Sequence, residues 1–459
     1  MKRISFFALM LFMSAAVTLT SCRKNDEVDE EITPSTPQEI SGDITASKTY
    51  PRGTYILKGF VYVKNNATLS FEAGSVIRGD KDSKGTIIVT RGAKLIANGS
   101  ASNPIVFTSN KDAGSRNPGD WGGIIILGKA PVNIAGGEGV IEGGVDNAAG
   151  DGKFGGTDPN DSSGSLKYVR IEFGGIAFVQ NNEINSLTLG GVGRGTIMEN
   201  VQVSYGGDDG IEFFGGTVNA KNIISLGHVD DDFDFDNGYQ GNIQFAVALR
   251  DPALADAAGD SNGIESDNDA NGSTNGPITR PVISNMTLVG PNGKPGEGQV
   301  NAKNNAGNRW RRSSRPVLRN SIILGYANGA FLIESESTAA AIKGGTDAVV
   351  KNNIFTAVQN TFRLGSGITS YADAAALSAD LLTKGNVAVA TAADVMLESP
   401  FSLTTPNFLP KTGSPALTGA AFDGDLANTF FMQVAYKGAF GGSNWTTGWA
   451  NFNPQTASY

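Results

Sequence analysis

Apolar and polar positions alternate in short runs along most of this chain. Residues 55–80, YILKGFVYVKNNATLSFEAGSVIRGD, alternate strongly and are interrupted at Asn65-Asn66 and at Gly74. Residues 85–110, GTIIVTRGAKLIANGSASNPIVFTSN, follow the same alternation, with a strand, an Arg-Gly-Ala corner, a strand, Asn-Pro and a further strand. A period of two is the signature of a strand. Short strands separated by turn residues predict a coil with three faces.

One unit is written twice in residues 198–238. With Asn200 over Asn222, Val201 meets Ile223, Asp208 meets Asp230 and Asp209 meets Asp231. Ile211 then meets Phe233, Glu212 meets Asp234 and Phe213 meets Phe235. Self-similarity at a short fixed period marks a solenoid. The alternation predicts Ile211, Phe213, Phe233 and Phe235 inward and Glu212 and Asp234 outward. A third tier follows at residues 263–269, where Ile264 takes the place of Phe233 and Glu265 that of Asp234. Rungs of a parallel coil lie about 4.8 Å apart, so the repeat stacks carboxylate on carboxylate.

Each marked rung carries an Asn near the start of a strand, at Asn200, Asn222, Asn285, Asn320 and Asn352, with Tyr168 in the equivalent place earlier. Stacked amides that bond along a ladder would explain them structurally. Their spacings of 22, 63, 35 and 32 residues imply constant strands and loops of unequal length. Residues 133–164, 250–269 and 290–316 read as long lateral loops, which on a solenoid form a groove. Residues 371–386, YADAAALSADLLTKGN, have helical spacing and end at Gly385-Asn386. The tail holds Phe430, Phe431, Tyr436, Phe440, Trp445, Trp449 and Phe452, aromatics dense enough to cover the open end of a last rung. The expected fold is therefore all-β: a right-handed parallel β-helix with long lateral loops, a small helical side element and an aromatic-rich C-terminal cap. The expected boundaries are 44–365 for the coil, 366–405 for the helical element and 406–459 for the cap.

The rungs at Leu95-Ile96-Ala97-Asn98-Gly99 and Pro104-Ile105-Val106-Phe107-Thr108-Ser109 resemble the N-terminal coils of Gram-negative outer-membrane lipoproteins with a right-handed parallel β-helix, of the pectate-lyase-like superfamily. The resemblance runs from about Ile44 to the C-terminus. It implies a fold and a cell location and leaves activity open. The chain's ends agree with it. Lys2-Arg3 precede an apolar run too short to span a bilayer comfortably, so residues 1–21 read as a signal peptide. Leu19-Thr20-Ser21-Cys22 resembles a lipobox, which would make Cys22 the lipidated first residue of the mature protein and its anchor to the membrane. Residues 22–43 are charged and then Pro/Ser/Thr-rich, a flexible tether. Lys24-Asn25-Asp26-Glu27 resembles the export signal that sends some lipoproteins to the cell exterior.

The 459 residues include 60 Gly, as the corners of a long solenoid require, and Cys22 is the only Cys, so no disulfide forms. Loss of residues 1–21 takes the formal charge from -9 to -11. An acidic protein is a poor partner for nucleic acid. One His and no mature Cys argue against zinc.

Three functions fit these residues. Asp208-Asp209, with Gly227-His228 one rung later, resembles the polygalacturonase family, in which an Asp pair works beside a Gly-His-Gly; paired carboxylates serve glycoside cleavage. Here no Asn-Thr-Asp precedes the pair, Val229 follows His228, and the Arg-Ile-Lys of that family is missing. A polysaccharide lyase of this fold would need Asp-held Ca2+ and a basic residue, and Arg309, Arg311, Arg312, Arg315 and Arg319 are available. Several Arg side chains can also grip an anion without catalysis. The third function, a non-catalytic surface protein binding a glycan or another anion, or working beside an outer-membrane transporter, needs only the coil, its loops and the anchor.

The carboxylate ladder itself requires relief. Two bare charges about 4.8 Å apart repel by roughly 3–4 kcal/mol at an effective dielectric near 20. No Lys or Arg lies between Asp208 and Lys221. Protons, Arg from residues 309–315, or a hard cation must sit among Asp208, Asp209, Glu212, Asp230, Asp231 and Asp234. Oxygen ligands in an extracellular setting point to Ca2+, with Asp208, Asp230, Asp231 and Asp234 foremost.

Overall fold

The computed structural model describes residues 37–179 and 182–459, and Pro37–Tyr459 form one compact unit. The chain coils as a right-handed parallel β-helix whose rungs build an 18-stranded sheet and a ten-stranded sheet. The duplicated unit stacks in the register its pattern predicts: Ile211 pairs with Phe233, Glu212 with Asp234 and Phe213 with Phe235. The third tier follows, with Phe233 beside Ile264 and Asp234 beside Glu265. The alternate residues Ile211, Phe213, Phe233, Phe235 and Ile264 face inward and are fully buried. Phe213 packs on Phe235 at 5.2 Å between ring centroids and on Tyr239 at 4.5 Å. Aromatic stacking along the axis adds to the stabilisation from apolar burial.

The repeated Asn has a different cause from the amide ladder expected. Tyr168, Asn200, Asn222, Asn285, Asn320 and Asn352 all have φ between +50° and +60°. Each rung turns a left-handed corner here, and Asn tolerates that region better than other residues with a Cβ. Phe245, also left-handed at φ +59°, fills the corner inside the long gap after Asn222. The buried amides bond elsewhere: Asn285 Nδ2 donates to Tyr436 O at 2.8 Å, and Asn320 Nδ2 to Ala421 O at 3.0 Å. An amide pair does link successive coils one residue further on, where Asn353 Nδ2 donates to Asn386 Oδ1 at 3.0 Å.

The two C-terminal segments divide the covering of the coil differently from the expectation. Helix α1 (Glu336–Gly344), which the pattern did not reveal, and helix α2 (Ala374–Thr383) contribute Ala339, Ile342, Leu377 and Leu381 to the interior core. Asp373 caps α2 by accepting from Ala376 N–H at 2.8 Å, and Gly385 leaves it at φ +75°. The aromatic tail instead straps the flank. Phe408, Phe440 and Trp449 pack on Ile224, Leu226, Val247, Leu249, Ile322 and Leu324, outward residues of the 18-stranded sheet. Its end reaches the early rungs, where Arg116 donates to Pro454 O at 2.7 Å and Tyr459 OH donates to buried Glu172 at 2.7 Å. The loop over 133–164 covers the other wall, laying Ile141, Val145 and Phe154 on Ile88, Ile125 and Leu127.

Candidate functional site

One outward column of the ten-stranded sheet places the chemistry. In register it reads Tyr62, Ile88, Ile125, Thr188, Glu212, Asp234, Glu265, Arg309, Leu332 and Arg363. The apolar start lies beneath the lateral loop. The middle is a wall of acids, and Arg309 follows it.

The carboxylates point away from the coil, yet they are not solvated as an open outer face would be. Asp209 and Glu212 are only 6% and 7% exposed. The loops bring more acids over them, namely Glu142, Glu183 and Asp256. Together with Asp208, Asp209, Glu212 and Asp230 these line a cavity of about 180 Å³. A second space of about 230 Å³ shares Asp230 and Asp256 and is lined also by Glu265, Arg309 and Arg311. Nothing in the sequence pattern marks Glu142 or Asp256, because loop residues have no periodicity to give their direction.

Burial and mutual repulsion act in one direction. Burial first, and then neighbouring carboxylates, raise Asp208, Asp209, Asp230, Glu212 and Asp234 well above the usual carboxylate range. Burial pushes Glu142 to about 7. Among the described residues, no Lys or Arg forms an ion pair with any of those first five groups. Local bonds hold the wall in shape. Asn185 Nδ2 donates to Glu212 Oε2 at 2.5 Å, and Asp209 Oδ1 accepts from Asp231 N–H at 2.8 Å.

The arginines cover the third tier only. Arg309 donates to Glu334 at 2.6 Å and to Glu265 at 3.2 Å. Arg311 donates to Asp267 at 2.8 Å and also pairs with Glu265. Arg312 bonds Asp267 at 2.7 Å, while Arg315 turns away to Asp347 at 2.9 Å. Arg319 sits on the other sheet and pairs with Asp423. Arg309 and Arg311 therefore face the groove as counter-ions already engaged, and Arg315 and Arg319 lie outside it. Beneath the wall, fully buried Arg250 reaches Asp232 at 3.6 Å and donates to Asn262 O at 3.1 Å and to Asp230 O. No periodicity or motif in the chain signals the role of Arg250.

His228 does not join the carboxylates. It is fully buried, its Nδ1 accepts from Gly206 N–H at 3.0 Å, and burial depresses it to about 3. It is a neutral corner residue, and the Asp-with-His arrangement of a polygalacturonase is not formed. Asp231 departs from the expected ligand set too, because Asn262 donates to its Oδ1 from Nδ2 at 3.0 Å and from its backbone N–H.

The remaining five acids suit a hard cation. Asp208, Asp209 and Asp230 each place an oxygen within 4.8 Å of the others, and so do Asp209, Glu212 and Asp234. Asp230 Oδ1 and Asp234 Oδ1 are buried with no hydrogen-bond partner. Buried polar atoms are rarely left so, and oxygen-only donors are what Ca2+ takes.

A family model described as a pectate-lyase-like beta helix domain matches residues 42–398, and the chain belongs to that family. No curated protein and no solved structure matches the chain. Cys22 and the rest of residues 1–36 lie outside the described residues. Among those described, no helix is long and apolar enough to cross a membrane.

Proposed function

We propose that this chain is a lipoprotein of the outer membrane, anchored through Cys22, that binds an anionic glycan at the cell exterior without cleaving it. Ca2+ held by Asp208, Asp209, Glu212, Asp230 and Asp234 stabilises the wall and offers open coordination positions to the ligand's carboxylate oxygens. The observation that carries this is a cavity in which Asp208, Asp209, Glu212 and Asp230 converge and, among the described residues, form no ion pair with Lys or Arg. Such a site repels an anion until a cation is in it.

Binding without catalysis is favoured by the state of the candidate catalytic groups. His228 is sealed in the coil. Arg311 is tied to Glu265 and Asp267, which outweigh its burial and push its pKa further above the usual guanidinium range, so it makes a poor proton acceptor. Lyase or hydrolase activity on an acidic polysaccharide is the alternative, because Asp208 and Asp209 do line the cavity.

The test is incubation of the mature protein with a panel of neutral and uronate-containing polysaccharides, in Ca2+ and in chelator. Retention of an acidic glycan in Ca2+ alone, with its chain length unchanged, is expected. New reducing ends or unsaturated products would replace binding with catalysis. Equal retention of acidic and neutral glycans would sink the proposal.

A further inference from the structure

We propose that the carboxylate wall holds two divalent cations bridged by Asp209, not one. This rests on the cation site described above and adds its nuclearity and the division of its ligands.

The donor oxygens fall into two triads. Asp208 and Asp230 belong to one, Glu212 and Asp234 to the other, and Asp209 to both. Ca2+–oxygen bonds are about 2.3–2.6 Å long, so oxygens around one ion lie within about 5 Å of each other. Each triad meets that limit, with its oxygens within 4.8 Å. A carboxylate shared by two divalent ions about 3.5–4 Å apart is a common metal-site arrangement.

A second observation divides the same way. Among the triad residues, the buried, unpartnered carboxylate oxygens are Asp230 Oδ1 and Asp234 Oδ1, one in each triad, whereas Asp232 Oδ2, outside both, faces Arg250 at 3.6 Å. An ion in either triad alone would leave the other orphan oxygen in place, where a buried unpaired charge is costly. Charge agrees. One divalent ion offsets two of the five carboxylates and leaves three buried together. Two ions offset four, and Asn185 Nδ2 already donates to Glu212. The stacked rungs impose this geometry. Asp208 lies against Asp230 where the rung turns, and Glu212 lies against Asp234 further along the same two rungs.

The experiment measures stoichiometry. The mature protein, stripped with chelator, is titrated with Ca2+ alone by calorimetry and equilibrium dialysis. Asp208→Asn, Asp234→Asn and Asp209→Asn are carried beside it. Amides keep the shape and remove repulsion, and a thermal melt in chelator shows that each variant folds. Two ions per chain are expected for the parent protein and one each for Asp208→Asn and Asp234→Asn. Asp209→Asn should weaken both ions about tenfold or more. If Asp209→Asn fails to fold, the other two variants decide. A single ion in the parent, lost alike in Asp208→Asn and Asp234→Asn, would overturn the pair and leave Ca2+-dependent glycan docking standing. No bound ion at all would remove both.

Discussion

At the scale of single residues, the corner Asn and the ladder acids answer to different physics. The corner positions are chosen by backbone conformation. Asn222 has φ +58°, a region that costs a β-branched residue about 1–2 kcal/mol. Asn222→Val should lower stability by about that amount, whereas Asn222→Gly should be close to neutral. Chemical denaturation of the pair checks this; equal losses in both variants would mean that the Asn side chain, not the corner, matters. The ladder acids are chosen for what they face. Glu212 and Asp234 stand on strand and Asp208, Asp209 and Asp230 in the turn before it, and their cost lies in the burial of like charges.

At the scale of elements, the strand Asn308–Trp310 and the residues just after it close the acidic wall. Arg309 and Arg311 tie the third tier to this turn through Glu265 and Asp267. Removal of one partner from a part-buried ion network strands the other charges. Arg311→Ala should therefore cost about 1–3 kcal/mol, less than a fully buried pair would lose because Arg309 and Arg312 remain. It should also weaken anionic glycan binding. Unchanged stability together with unchanged binding would reduce Arg311 to a surface decoration. The tail shows the same logic on the opposite wall. Its aromatics follow outward apolar residues such as Ile224 and Val247, because an outward-facing apolar column must be covered somewhere.

At the scale of the whole molecule, the buried acids make stability depend on pH and cation together. Burial raises Asp232 to about 6, Asp236 and Glu142 to about 7, and Glu265 to about 8. These folded-state values lie above the unfolded values near 4. The native state therefore binds protons more tightly, and the stability this provides is full below about pH 4 and is lost as pH rises through 6 to 8. In chelator, the melting midpoint should fall across that window. Millimolar Ca2+ should flatten the fall and raise the midpoint most at pH 8, where it replaces the missing protons. Melts at constant ionic strength in Ca2+ and in chelator measure this. Superimposable curves at pH 8 would mean that no cation relieves the wall.

Much of the molecule was legible in one dimension because a coil's stacking is a repeat in sequence. The doubled unit fixed which residue lies on which, down to Glu212 beside Asp234 and Asp234 beside Glu265. The helix at 374–383 announced itself by its spacing and its end at Gly385. The expectation of a signal peptide and a lipid anchor at Cys22 rests on sequence alone and falls outside the described residues. Tertiary structure alone decided what covers the coil. Loops have no period, so the positions of Glu142 and Asp256 over the ladder could not be inferred. The pattern likewise could not tell that the aromatic tail runs along the flank, since aromatics signal burial without saying against what. The same holds for His228 and Asp231. Their residue types suggest chemistry, but Gly206 and Asn262 occupy them first, and only packing brings those partners within a hydrogen bond's length.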